Sequence, residues 1–183
     1  MKGSILAGVL AIAFAAPSHA IPFVATTTNF GAAPIADGPC APRLTLILTP
    51  GAPTFATGTS NLGDFAPTFI ECLVGPPPSP AAPDSQFSFE FDDGILSGTY
   101  SSVLTGPIPG GIGFDATFIV TGGTGLFSRA RGRFSALGSV IFGAPTVVTR
   151  EIRGEIDLPE PTSLALLGLG LVGVLGSRRR ERS

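Results

Sequence analysis

The sequence predicts an all-β protein, an antiparallel barrel or sandwich of about seven to nine strands, held between two addressing segments. Three observations predict it. Apolar residues recur at every second position in several stretches of the body, the period of a half-buried strand. Clusters of Gly, Pro and Asp separate those stretches and act as turns. No stretch of the body shows the 3.6-residue period of an amphipathic helix.

The N-terminal segment is the first address. Lys2 supplies a positive charge, Ile5 to Ala16 is an uncharged apolar run, and Ser18-His19-Ala20 places small residues before a cut. This is the three-part plan of a secretory signal peptide. It assigns residues 1–20 to the signal, with cleavage between Ala20 and Ile21. The run falls short of the roughly 20 apolar residues of a membrane span. Lys2 is the only lysine and His19 the only histidine of the chain. The mature body therefore has neither, which removes Ser-His-Asp triads, histidine metal sites and lysine Schiff bases. No catalytic residue, metal site or cofactor is expected.

Residues 21–158 form the body. Leu44, Leu46 and Leu48 alternate within Arg43–Thr49. Phe87, Phe89 and Phe91 share one face of their segment, and Ala116, Phe118 and Val120 share one face of theirs. Val148, Arg150, Ile152, Gly154 and Ile156 alternate with Thr149, Glu151, Arg153 and Glu155. Such segments suit antiparallel sheets with one wet face. Asp92-Asp93-Gly94, Gly106–Gly111 and Gly122–Gly125 supply the turns. The proline-rich stretch 75–83 reads as a stiff extended connector. It is expected to divide a cysteine-bearing N-terminal part from a regular C-terminal meander, within one domain. Cys40 and Cys72 are the only cysteines. In an exported chain they are expected to pair, closing a loop of about 33 residues and constraining the unfolded chain by roughly 3–4 kcal/mol.

The candidate chemistry is sparse. The body has six arginines against eleven acids, a charge near −5, which argues against a nucleic-acid partner. Gly122-Gly123-Thr124-Gly125 lacks the Gly-Lys-Ser/Thr ending of a phosphate loop and reads as a tight turn. Glu90, Asp92 and Asp93 could be spaced for glycan chemistry, but they lead into a turn and read as solvated. Arg129, Arg131 and Arg133 alternate, so on a strand they share one face. Such a row could grip the anionic groups of an acidic extracellular polysaccharide. The alternative is cross-strand pairing with acids such as Glu151 and Glu155, worth little when exposed.

The stretch Thr121 to Gly132, led by its glycine turn, resembles a turn-and-strand signature of dirigent and allene oxide cyclase-like β-barrels. The resemblance implies a barrel and carries no catalytic residue across.

The second address is the C-terminus, residues 159–183. Pro159-Glu160-Pro161 stands outside any helix interior. Residues 162–177 are uncharged and dominated by Leu, Val and Gly, and a helix over them spans roughly 24 Å, slightly under the ~30 Å hydrocarbon core. Arg178, Arg179 and Arg180 open the basic tail 178–183, and arginines after a span stay cytoplasmic. Tripeptide, span and basic cluster together resemble the PEP-CTERM sorting signal of Gram-negative bacteria. The resemblance implies recognition and processing by an exosortase, after export through signal peptidase and a transient stay in the inner membrane. It points to a non-enzymatic surface or extracellular-matrix protein, structural or polysaccharide-associated. A permanent anchor is the alternative fate of the tail. A dirigent-like or carboxylate-dependent glycan-active enzyme is the alternative function of the body.

Overall fold

The computed structural model describes residues 19–35, 37–51 and 54–158. The expected signal residues before His19, the Pro159-Glu160-Pro161 tripeptide, the span 162–177 and the basic tail lie outside them. Among the described residues no helix is long and apolar enough to cross a membrane.

The body is all-β. Its strands are β1 (His19–Phe30), β2 (Ala33–Ile35), β3 (Thr45–Leu48), β4 (Phe55–Ser60), β5 (Gly63–Cys72), β6 (Ser85–Phe91), β7 (Gly94–Ile108), β8 (Gly111–Gly123), β9 (Arg131–Ile141) and β10 (Val147–Leu158). β6 to β10 form an antiparallel meander. β10 pairs with β1, β1 with β4, β4 with β5, and β5 with β6. The ring closes over eight strands, and closure pairs each of them on both sides over part of its length. β3 and β4 share one side of β5, at its two ends. β2 pairs only with β3 among the described strands and carries Pro34, which blunts its free edge.

The alternation expected from the sequence sorts the side chains. Phe87, Phe89 and Phe91 of β6 all face the lumen, as do Ala116, Phe118 and Val120 of β8. So many lumen positions are phenylalanine that the rings pack on one another. Phe23 lies 4.5 Å from Phe134 between centroids, and Phe65 lies 4.6 Å from Phe89. Phe118 meets Phe87 edge-on at 5.2 Å and stacks on Tyr100 at 5.1 Å. Burial of each ring contributes about 1.5–3 kcal/mol. A 3₁₀ turn, Gly125–Phe127, puts the buried Phe127 5.0 Å from Phe91 at the end of the barrel where β1 begins and β10 ends.

The proline-rich stretch does not divide the body. β5 and β6, on either side of it, pair directly from Ala66↔Glu90 to Ile70↔Gln86. The connector is a folded loop, because Val74 N–H donates to Pro80 O at 3.1 Å and Gly75 N–H to Ser79 Oγ at 2.8 Å. Its residues Ala81 and Ala82 are buried.

Cys40 and Cys72 form a disulfide, with their Cα atoms 5.3 Å apart. It pins the loop before β3 to the end of β5, where Cys40, Cys72 and Ala82 make a small core of their own with Ile70. An exposed ion pair, Arg43 with Asp84, ties the same two loops together outside it. The Arg43 guanidinium holds the Asp84 carboxyl below its usual range. The Cys40→Ser, Cys72→Ser double variant should lose about 2–4 kcal/mol in denaturant unfolding. A loss within experimental error would show that the bridge does not constrain the unfolded chain.

Candidate functional site

One buried cluster breaks the apolar run of the lumen. Arg150 lies on β10 in the phase of Val148, Ile152 and Ile156, so it faces inward and is only 2 % exposed. Taking a guanidinium out of water is costly unless it is paired. Its Nη2 donates to Glu71 Oε1 at 2.6 Å, and its Nη1 donates to Asn29 Oδ1 at 2.9 Å. Glu71 belongs to β5, in phase with the inward Phe65 and Phe69, and its side chain keeps 17 % exposure. The guanidinium carbon also stands 4.0 Å from the Phe69 ring centroid and 5.5 Å from that of Phe114, close enough for cation–π attraction.

Thr27 sits directly opposite Arg150 in the β1–β10 register. Thr27 Oγ1, Asn29 Nδ2, Tyr100 Oη and Arg150 Nε are buried and make no hydrogen bond among the described residues. Burial, with the Glu71 carboxylate adding to it, pushes the Tyr100 phenol well above its ordinary value. Tyr100 therefore stays protonated across the physiological range. The cluster pairs a guanidinium with a carboxylate inside the barrel, and the pair ties β10 to β5.

The outward arginines are placed differently from one another. Arg129 is not on a strand. It follows the 3₁₀ turn that buries Phe127 and lies in the turn before β9, so it does not share a strand face with the other two. Arg131 and Arg133 do face outward from β9, on either side of Gly132. The β9–β10 register sets Asp157 opposite Arg131 and Glu155 opposite Arg133. Arg131 Nη1 donates to the carbonyl oxygens of Thr121 and, at 2.8 Å, Ala130. Glu151 approaches Arg153 at 4.0 Å with both side chains exposed, a contact of little energetic weight. Glu90 and Asp92 are exposed, and Asp92-Asp93 is the two-residue turn between Phe91 and Gly94.

The first and last strands of the body pair with each other. β1 and β10 pair over their whole length, from His19↔Leu158 to Phe30↔Val147. The Ala20–Ile21 bond lies within β1, with Ala20 opposite Asp157 and Ile21 opposite Ile156. Pro159-Glu160-Pro161 follows directly after Leu158, the last residue of β10.

Residues 157–180 match the model of the PEP-CTERM protein-sorting motif. The chain carries a PEP-CTERM sorting signal. The match takes in the last two residues of β10, the tripeptide, the apolar run and the arginines. It marks the chain as an exported protein sorted by an exosortase. No curated protein and no solved structure matches the chain. The likeness of the Thr121–Gly132 stretch to dirigent-type barrels remains one of local sequence.

Sequence reasoning passed over Arg150 and Glu71. The signal was present: an arginine occupies the apolar phase of an alternating strand, where only a paired charge is stable.

Two outcomes follow. Glu71→Gln leaves the guanidinium without its counter-charge and should cost about 3–5 kcal/mol, whereas Arg150→Met with Glu71→Leu should recover most of it. Denaturant unfolding reads both. A single-variant loss below about 1 kcal/mol would place the pair with exposed ion pairs. The second outcome concerns Tyr100, the only tyrosine of the chain. Its folded pKa is raised, so the folded state holds the proton more tightly than the unfolded one. The corresponding stability is complete below the ordinary tyrosine pKa of about 10 and is lost as pH rises above it. Phenolate absorbance should then appear together with unfolding. Phenolate in a still-folded barrel near pH 10 would contradict its burial.

Proposed function

We propose that the barrel is a mature surface or extracellular-matrix component that works by contact, and that the tail is removed after sorting. The observation that carries this reading is the sorting motif, which follows the closing strand directly in sequence. It supports a self-contained body that needs nothing beyond Leu158 to complete its ring. A lumen occupied by phenylalanines supports a contact role over an enzymatic one, because a reacting substrate needs an accessible pocket with convergent polar groups. On this reading the signal peptide is cut after Ala20 and the tail serves as a transient anchor in the inner membrane.

Arg131 and Arg133 remain the residues through which an acidic polysaccharide would be held. The acids opposite them weaken that version of the contact, since a negative ligand meets Asp157 and Glu155 as well.

Intact mass measurement of the protein recovered outside the producing cells tests the proposal. The expected mass lacks Met1–Ala20 and lacks Arg178–Arg180. Changing Pro159-Glu160-Pro161 to alanines should hold the chain in the membrane fraction. Extracellular protein that retains the arginines would overturn the removal of the tail. A chain found in the cytoplasm would overturn export.

A further inference from the structure

A groove of about 300 Å³ lies on the outer face of the barrel over β5 to β8. Its walls are Thr68, Gln86, Ser88, Ser97, Thr99 and Thr121. Ile70 is the one aliphatic side chain along it, and Gly98 and Phe87 complete its lining. The strand register builds it. Thr68, Ser88 and Ser97 stand side by side across β5, β6 and β7, and Ile70, Gln86 and Thr99 form the next row.

The fourth strand adds an irregularity. Ser97 pairs with Gly122 while Gly98 pairs with Val120, so Thr121 is an extra residue, a β-bulge. Bulges re-aim a side chain and break the ladder locally. Two glycines permit this one. Gly122 has φ +140, a conformation that other residues rarely adopt. At Gly98 a Cβ would lie 2.0 Å from the Ile119 carbonyl oxygen and 2.8 Å from the Phe87 ring. Arg131 holds the bulge from the next strand, through its bond to the Thr121 carbonyl. Its guanidinium is a positioning group for this groove.

We propose that the groove binds a neutral polyhydroxylated ligand, a sugar unit of an uncharged glycan. The lining has no charged side chain, so an ionic ligand would lose hydration without gaining a partner. A purely apolar ligand would cover hydroxyls and an amide without satisfying them. Ser97 already donates to the Gly122 carbonyl oxygen at 3.3 Å. The hydroxyls of Thr68, Ser88, Thr99 and Thr121 and the Gln86 amide make no side-chain hydrogen bond among the described residues. Hydroxyl and amide groups both donate and accept, as the hydroxyls of a sugar do. Ile70 offers an apolar contact for a C–H face. The volume stands at the small end of the range for ligand sites, about 300–1,000 Å³, which suits one or two sugar units.

The inference deepens the proposed contact role and names the partner's chemistry as neutral, held by a lining without a charged side chain. Its setting rests on that role, but binding by purified protein is read out independently of sorting. The test is affinity electrophoresis of the exported protein, purified from the producing cells, through gels containing dextran, galactomannan or alginate. Retardation by at least one of the two neutral glycans is expected, unchanged between low and high salt. The Thr68→Val, Ser88→Ala variant should lose it at least tenfold while keeping the parent's circular dichroism and unfolding midpoint. Arg131→Gln should weaken it without adding any salt dependence. Absence of retardation in both neutral gels would overturn the proposal. So would retardation by alginate alone that fades with salt, or a double variant that binds as the parent does.

Discussion

A guanidinium enclosed by phenylalanine rings constrains everything around it. Arg150 leaves water only if Glu71 and Asn29 meet it, so β5, β1 and β10 must each hold one register. A slip of β10 by a single residue would turn Arg150, Val148, Ile152 and Ile156 out of the lumen together. Glu71 lies on the far side of β1 and β4 from β10 in the ring. The pair therefore fixes the barrel across its lumen, where backbone ladders fix only neighbours. Phe69 and Phe114 contribute their ring faces, which lowers the cost of enclosing the charge without adding another polar group.

The fold class was legible because it rests on short-range pattern. Phe87-Ser88-Phe89-Glu90-Phe91 states its own geometry: phenylalanines in, polar groups out. Which strand meets which was not legible, since a ring closed by β1 and β10 depends on partners at opposite ends of the body. The proline-rich connector illustrates the limit. Its composition reads as stiff and extended, yet two hydrogen bonds fold it between strands that pair directly. Arg129 shows another. Three arginines at alternate positions read as one strand, but burial of Phe127 draws the chain into a 3₁₀ turn just before them. The acids opposite Arg131 and Arg133 are a fact of register, visible only once β9 lies against β10. Arg150 was visible as a charge in an apolar phase, whereas Glu71, 79 residues away, was not visible as its partner. The sorting motif was legible because tripeptide, apolar run and arginines are contiguous and need no tertiary partner to be read.

The outer surface divides its chemistry along the barrel. Toward the start of β9 and the end of β10, Arg131, Arg133 and Arg153 stand among Glu155 and Asp157. Over β5 to β7 the outward rows of threonine, serine and glutamine carry no charge. A protein with few long charged side chains spends little side-chain entropy when such a face is covered, and its contacts there are insensitive to salt. One barrel thus offers two surfaces that respond to different conditions.

The pairing of the first strand with the last governs when the fold can exist at all. β1 emerges from an export channel first, and β10 follows more than a hundred residues later. Until β10 arrives, β1 has only β4 beside it and the lumen stays open, so the core is complete only with the last strand. Contacts of such sequence separation form slowly, because a long loop must close before they are rewarded. The strand that seals the barrel is thus the last one made, and the sorting motif begins in its final two residues.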